Sequence, residues 1–139
     1  MKIEHRILTR EEVDRLIKES VPSETKFLRD LETDIYDFFY KYSLIQDGIL
    51  VDGRPIYIAV LIKSTDGNMN FWTVVNRDTN AIISMSRIVR QELRKWVDMY
   101  GILYAKMEKV NPKNMKWVEW LGFKRAYEDN QYITYKIGA

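Results

Sequence analysis

The strongest constraint on this 139-residue chain is a six-position apolar stripe set between two strand-like runs. Ile82, Met85, Val89, Leu93, Trp96 and Tyr100 recur at steps of three and four, which puts them on one face of an α-helix. Gly101 follows, the residue type that ends a helix in the left-handed conformation. Asn70–Val75 lies before the stripe and Ile102–Met107 after it, both apolar enough for buried strands. A helix of this length between two strands predicts a right-handed crossover and a parallel strand pair.

The flanking segments extend the pattern. Lys2–Leu8 reads as an opening strand, and Thr9 with Glu12 has capping-box spacing ahead of Val13, Leu16 and Ile17. Pro22 stops that helix. Ser23 is the expected cap of a second one, with a stripe of Leu28, Leu31, Ile35, Phe38 and Tyr42, ended at Asp47-Gly48. Ile49–Val51, Ile56–Ile62 and Asn70–Val75 follow as a meander, joined by Asp52-Gly53 and by Thr65-Asp66-Gly67-Asn68. After Met107, Asn111-Pro112 opens a short helix that ends before Gly122. Phe123–Tyr127 and Gln131–Ile137 then close the chain as a hairpin. The expected order is β-α-α-β-β-β-α-β-α-β-β in one α/β (α+β) domain over residues 1–139, with a mixed, mostly antiparallel twisted sheet.

Composition excludes several chemistries. The absence of Cys removes disulfides, thiolate zinc sites and a Cys nucleophile; one histidine, His5, argues against a metal cluster or a Ser-His-Asp triad. No metal is expected. No apolar run reaches the roughly 20 residues of a membrane span, and a soluble, cytoplasmic protein is the expectation. Charge is uneven. Residues 1–47 hold 8 Lys/Arg against 11 Asp/Glu, and residues 81–139 hold 11 against 6. A basic second half suits a phosphate-bearing partner, but its charges follow no nucleic-acid-reading motif, so a nucleic-acid partner is not expected. Tyr132, Tyr135 and Lys136 come nearest to a base-stacking strand. Phe38-Phe39-Tyr40-Lys41-Tyr42 holds more aromatic rings than one helix face can bury, which suggests a substrate lid or a subunit contact.

The element order, with Asn111, the short helix and Leu121-Gly122-Phe123 eleven residues on, resembles the Gcn5-related N-acetyltransferase (GNAT) superfamily over nearly the whole chain. The resemblance implies acetyl-CoA as co-substrate and a primary amine, on a small molecule or a protein, as acceptor. It implies that Trp72, Thr73, Val74 and Val75 lie along the thioester, their backbone amides polarising its carbonyl, and that Asn111, with Asn114 near it, holds the pantetheine arm. The family's Arg/Gln-x-x-Gly-x-Gly/Ala phosphate loop is degenerate here. Its place falls at about Ala81–Ser86, leaving Ser84, Ser86 and Arg87 to meet the pyrophosphate at a helix N-terminus. Ile82 and Ile83 are the side chains that would fill the groove of a non-binding remnant. The family's acid, a Tyr, is replaced by Val118; Tyr104 and Tyr127 are substitutes, and Glu108 and Asp66 are candidates for the base. These departures resemble the degenerate GNAT-like proteins of tailed bacteriophages. The alternative function is therefore a catalytically inactive virion or assembly protein acting through protein contacts, a homodimer contact included.

Overall fold

The computed structural model describes residues 1–20, 34–109 and 112–138. Its elements run β1 (Ile3–Arg6), α1 (Arg10–Glu19), α2 (Ile35–Tyr42), β2 (Ser43–Val51), β3 (Arg54–Lys63), β4 (Met69–Val75), α3 (Ile82–Tyr100), β5 (Leu103–Glu108), α4 (Pro112–Leu121), β6 (Lys124–Glu128) and β7 (Tyr132–Ile137). This is the expected order. The strands form one mixed sheet, β1-β2-β3-β4-β5-β7-β6. The chain divides into two compact units, residues 1–63 with 72–82 and residues 64–71 with 83–139, so β4 gives part of its length to each.

In the first unit, α1 starts where the capping box predicts. Thr9 Oγ1 accepts the Glu12 amide at 3.3 Å, and Glu12 Oε1 accepts the Thr9 amide at 2.9 Å. Val13 and Leu16 are fully buried and join Leu8, Phe39, Leu50, Ile58, Val60 and Val74 in a core. Asp34 caps α2, its Oδ1 accepting the Asp37 amide at 3.0 Å. The expected Ser23 cap, Leu28 and Leu31 lie outside the described residues. The stripe placed Tyr42 inward. The buried line instead centres on Phe39, and Tyr40 and Tyr42 are exposed.

The largest departure is Asp47-Gly48, expected as a terminator. Both residues lie inside β2, where Gly48 pairs with Ile58 on one side and Arg6 on the other. A Cβ at Gly48 would run into the Leu8 side chain and come within 2.8 Å of the Arg6 carbonyl oxygen, so glycine here admits a close approach rather than a turn. The β2–β3 register slips between Ile49 and Leu50, beside Pro55, which has no N–H to give the ladder.

In the second unit, β4 pairs with β5 in parallel at Met69↔Leu103 and Asn70↔Tyr104. The 19-residue α3 between them buries Met85, Val89, Leu93 and Trp96, four positions of the predicted stripe. It ends at Gly101 (φ 83°), whose amide donates to the Val97 carbonyl at 2.8 Å. α4 ends in a Schellman turn: the Phe123 amide reaches the Val118 carbonyl, the Gly122 amide reaches the Glu119 carbonyl, and Gly122 has φ 112°. Phe123 then enters the core, 5.6 Å from Phe71, which meets Trp96 edge-on at 6.1 Å. β7 lies between β5 and β6, antiparallel to both.

Candidate functional site

The start of α3 is the first place to look for a phosphate site. The helix begins at Ile82, so the Ile83 and Ser84 amides fall in the first turn, ahead of any carbonyl four residues back. Ala81 N–H donates to Thr79 Oγ1 at 3.1 Å. The first turn holds no acidic side chain that would oppose an anion. Ser84 is half-buried, and Arg87 is exposed one turn further along.

Ser86 serves differently from its neighbours. It is the fifth residue of the helix, so its amide belongs to the intrahelical ladder. Its side chain is 6% exposed, and Oγ accepts the Trp117 indole N–H at 2.9 Å. Its hydroxyl thus ties α3 to α4. Arg90 also has a local partner, its guanidinium lying 5.1 Å from the centre of the Trp120 ring. Ile83 is 65% exposed and fills no groove.

The expected β4 residues all lie in the first unit. Trp72 stacks on Phe38 with ring centres 5.4 Å apart, and the Thr73 hydroxyl donates to the Ile58 carbonyl at 2.9 Å. Val74 and Val75 are buried. These side chains build core, so any ligand contact there would come from main chain. Asn111 lies outside the described residues; Asn114 is half-buried in α4.

The proton-transfer candidates are not gathered around one atom. Tyr104 and Glu108 share a face of β5 but stand four residues apart, about 13 Å along a strand. Tyr127 is two strands from β5 and 64% exposed. The Asp66 carboxylate is engaged in the β3–β4 turn, accepting from the Ser64 hydroxyl and the Asn68 amide. Those hydrogen bonds, the Ser64 one foremost, hold it below the usual carboxylate range and make it a weak base. Val118, where the family's Tyr was sought, is fully buried. Of the described candidates, Tyr104 alone sits half-buried beside β4, opposite Asn70 in the parallel pair.

Sequence reasoning missed Trp117 as the residue that engages Ser86. An indole five residues into a short helix carries no local sign of a partner 31 residues away.

No family model and no curated protein sequence matches the chain. Solved structures do. The GNAT domain of S. lividans PAT superposes with a TM-score of 0.72 at 10% identity, covering 99% of this chain and 89% of that one. The ribosomal-protein-S18-alanine N-acetyltransferase of Escherichia coli gives 0.67 at 12%, covering 99% and 94%. The PaiA N-acetyltransferase of Thermoplasma acidophilum, solved in complex with coenzyme A, gives 0.68 at 14% and covers 100% of both chains. At such identities the likeness speaks for architecture: this chain has the GNAT acetyltransferase fold.

Proposed function

We propose that the protein binds an acyl-CoA, most simply acetyl-CoA, and transfers the acyl group to a primary amine. The observation that carries this reading is the fold itself, over the full length of a neighbour whose structure contains coenzyme A. The opening of α3, with amides in its first turn, no acidic side chain there and Arg87 beyond, suits a pyrophosphate. Ser84 and Arg87 are assigned to it; Ser86 is assigned to packing. Asn111 supplies an amide to the pantetheine arm. The neutral amine attacks the thioester carbon, the tetrahedral intermediate expels the thiolate, and the Tyr104 hydroxyl protonates the departing sulfur. The amine's proton leaves to water. Proximity of amine and thioester supplies most of the acceleration, so one acid is dispensable in part.

A second reading has a specific observation behind it. The acid position of the family is a fully buried valine, Val118, which favours a fold retained without turnover in a structural or assembly protein. Calorimetry with acetyl-CoA at low salt separates the two. Binding that weakens as salt rises is expected. Arg87→Ala should lose about 1.5–3 kcal/mol of affinity, the worth of a charge-assisted hydrogen bond. Tyr104→Phe should leave coenzyme affinity unchanged and slow acyl transfer by about a hundredfold. No heat at millimolar acetyl-CoA would favour the structural reading.

A further inference from the structure

The three-stranded part of the second unit has two unlike faces. Leu103, Ala105, Ile133 and Tyr135 lie on one and are buried. On that side the Tyr135 hydroxyl donates to Glu119 of α4 at 3.0 Å. The opposite face is basic and aromatic. Lys136 of β7 stands directly across from Lys124 of β6, Thr134 lies between Lys106 of β5 and Tyr127 of β6, and Tyr132 lies across from Glu108. Lys106, Lys124, Lys136 and Tyr127 are exposed.

Two details set this face apart. Lysines directly opposite on neighbouring strands repel, and neither Lys124 nor Lys136 has an ion-pair partner among the described residues. A bound anion would relieve that repulsion. The second detail is a register shift between Arg125 and Tyr127, which sets Tyr127 across from Thr134. Without the extra residue Tyr127 would face Ile133 and point to the buried side, so the bulge is what delivers this ring to the lysine face. The Lys106 ammonium lies 4.4 Å from the centre of the Tyr132 ring, which shows ring and cation within reach of one ligand.

We propose that this face, which also carries Tyr104 directly across from Lys136, binds single-stranded RNA. Tyr127 offers an open π-face to an unstacked base, and a second base reaches the Tyr132 ring when the Lys106 ammonium above it turns to a phosphate. Lys106, Lys124 and Lys136 meet the backbone phosphates. Glu108, which would repel a phosphate, accepts a hydrogen bond from a ribose 2′-hydroxyl, a donor that DNA lacks. A duplex is a poorer fit, because a flat sheet face cannot reach stacked bases inside an A-form groove. The sequence concealed the arrangement. Tyr135 of the suspected strand turns into the core, while Lys106, Lys124 and Tyr127 arrive from two other strands.

The test is fluorescence anisotropy with a labelled oligouridylate of about twelve nucleotides. Binding at low salt is expected, with log affinity falling against log salt at a slope of about −2, as three single-strand phosphate contacts require. Tyr127→Ala and Tyr132→Ala should each weaken binding about five- to hundredfold, the range for losing one stacked base. Tyr127→Phe should retain it. Tyr127 is 64% exposed, so its removal leaves the fold intact, which circular dichroism checks. Lys106→Ala and Lys136→Ala should each flatten the salt slope by about 0.7. Lys18→Ala, an exposed change on α1, should alter nothing. Oligodeoxyuridylate should bind more weakly, and Glu108→Gln should narrow that gap. The proposal is overturned by no binding at protein concentrations of about 100 μM, the weak end of non-specific affinity. It is also overturned if Lys18→Ala weakens binding as much as Lys136→Ala. Full competition by polyglutamate, with Tyr127→Ala silent, would make the face a site for acidic peptide instead. Equal affinity for the deoxy strand would overturn the assignment to RNA.

Discussion

Glu12 shows how much one side chain contributes when its partners are set by local sequence. The Arg6 guanidinium donates to both carboxylate oxygens, at 2.8 and 2.7 Å, and the Thr9 amide donates a third bond. The Arg6 bonds foremost, against an opposing cost of burial, hold the Glu12 carboxyl at about 2. A carboxyl depressed in the folded state stabilises above its unfolded value of about 4.3, and that stability is lost as pH falls toward the folded value. Urea unfolding between pH 5 and pH 2 should therefore show falling stability in wild type and a shallower fall in Glu12→Gln. An identical slope in the variant would mean that Arg6 does not hold Glu12 in solution. At the same scale, Trp117→Phe removes the indole donor to Ser86 and should cost about 1 kcal/mol in the unfolding free energy. Thr9 and Glu12 were legible as a pair because they are three residues apart. Ser86 and Trp117 were not, since nothing local links them.

At the level of elements, two glycines separate conformation from space. Gly122 has φ 112°, where any side chain is strained, and it makes the Schellman turn that ends α4. Its role was readable from its place after an apolar helix. Gly122→Ala should destabilise by about 1–3 kcal/mol through backbone strain. Gly48 was misread, because a glycine after an aspartate ordinarily marks a turn. Its reason for being glycine is Leu8, in the connection between β1 and α1, and Gly48→Ala should cost about 1–3 kcal/mol by overpacking. Thermal melts distinguish the two causes. Shortening the neighbour, as in the double variant Gly48→Ala with Leu8→Ala, should recover part of the Gly48 penalty relative to additivity. Perfect additivity of the two changes would refute the steric account. The aromatic segment of α2 tells a similar story: periodicity announced too many rings for one face, and only packing decided that Phe39 goes in while Tyr40 and Tyr42 stay out.

For the whole molecule, the proposed coenzyme site makes a global prediction. Acetyl-CoA at about a hundred times its dissociation constant should stabilise the native state by about 2.7 kcal/mol, raising the melting temperature by several degrees. Arg87→Ala should reduce that shift at equal ligand concentration. An identical shift in the variant would remove Arg87 from the site. No helix among the described residues is long and apolar enough to cross a membrane.

What the sequence determined by itself was everything carried by short-range periodicity and capping. The α3 stripe, the Thr9 capping box, Gly101 and Gly122 each need only neighbours within a turn or two, and from them the order of all eleven described elements could be written down. That order was enough to point to the fold. Tertiary structure alone decided the cross-strand registers and that β7 lies between β5 and β6, and hence the lysine and tyrosine face of those three strands. It also decided that Ser86 belongs to packing, that Tyr104 and Glu108 stand too far apart to share an atom, and that Gly48 sits within a strand. The physical reason is common to all of these. Cross-strand register and burial join residues tens of positions apart, and a one-residue slip reverses every side chain's face, so no local pattern contains the answer.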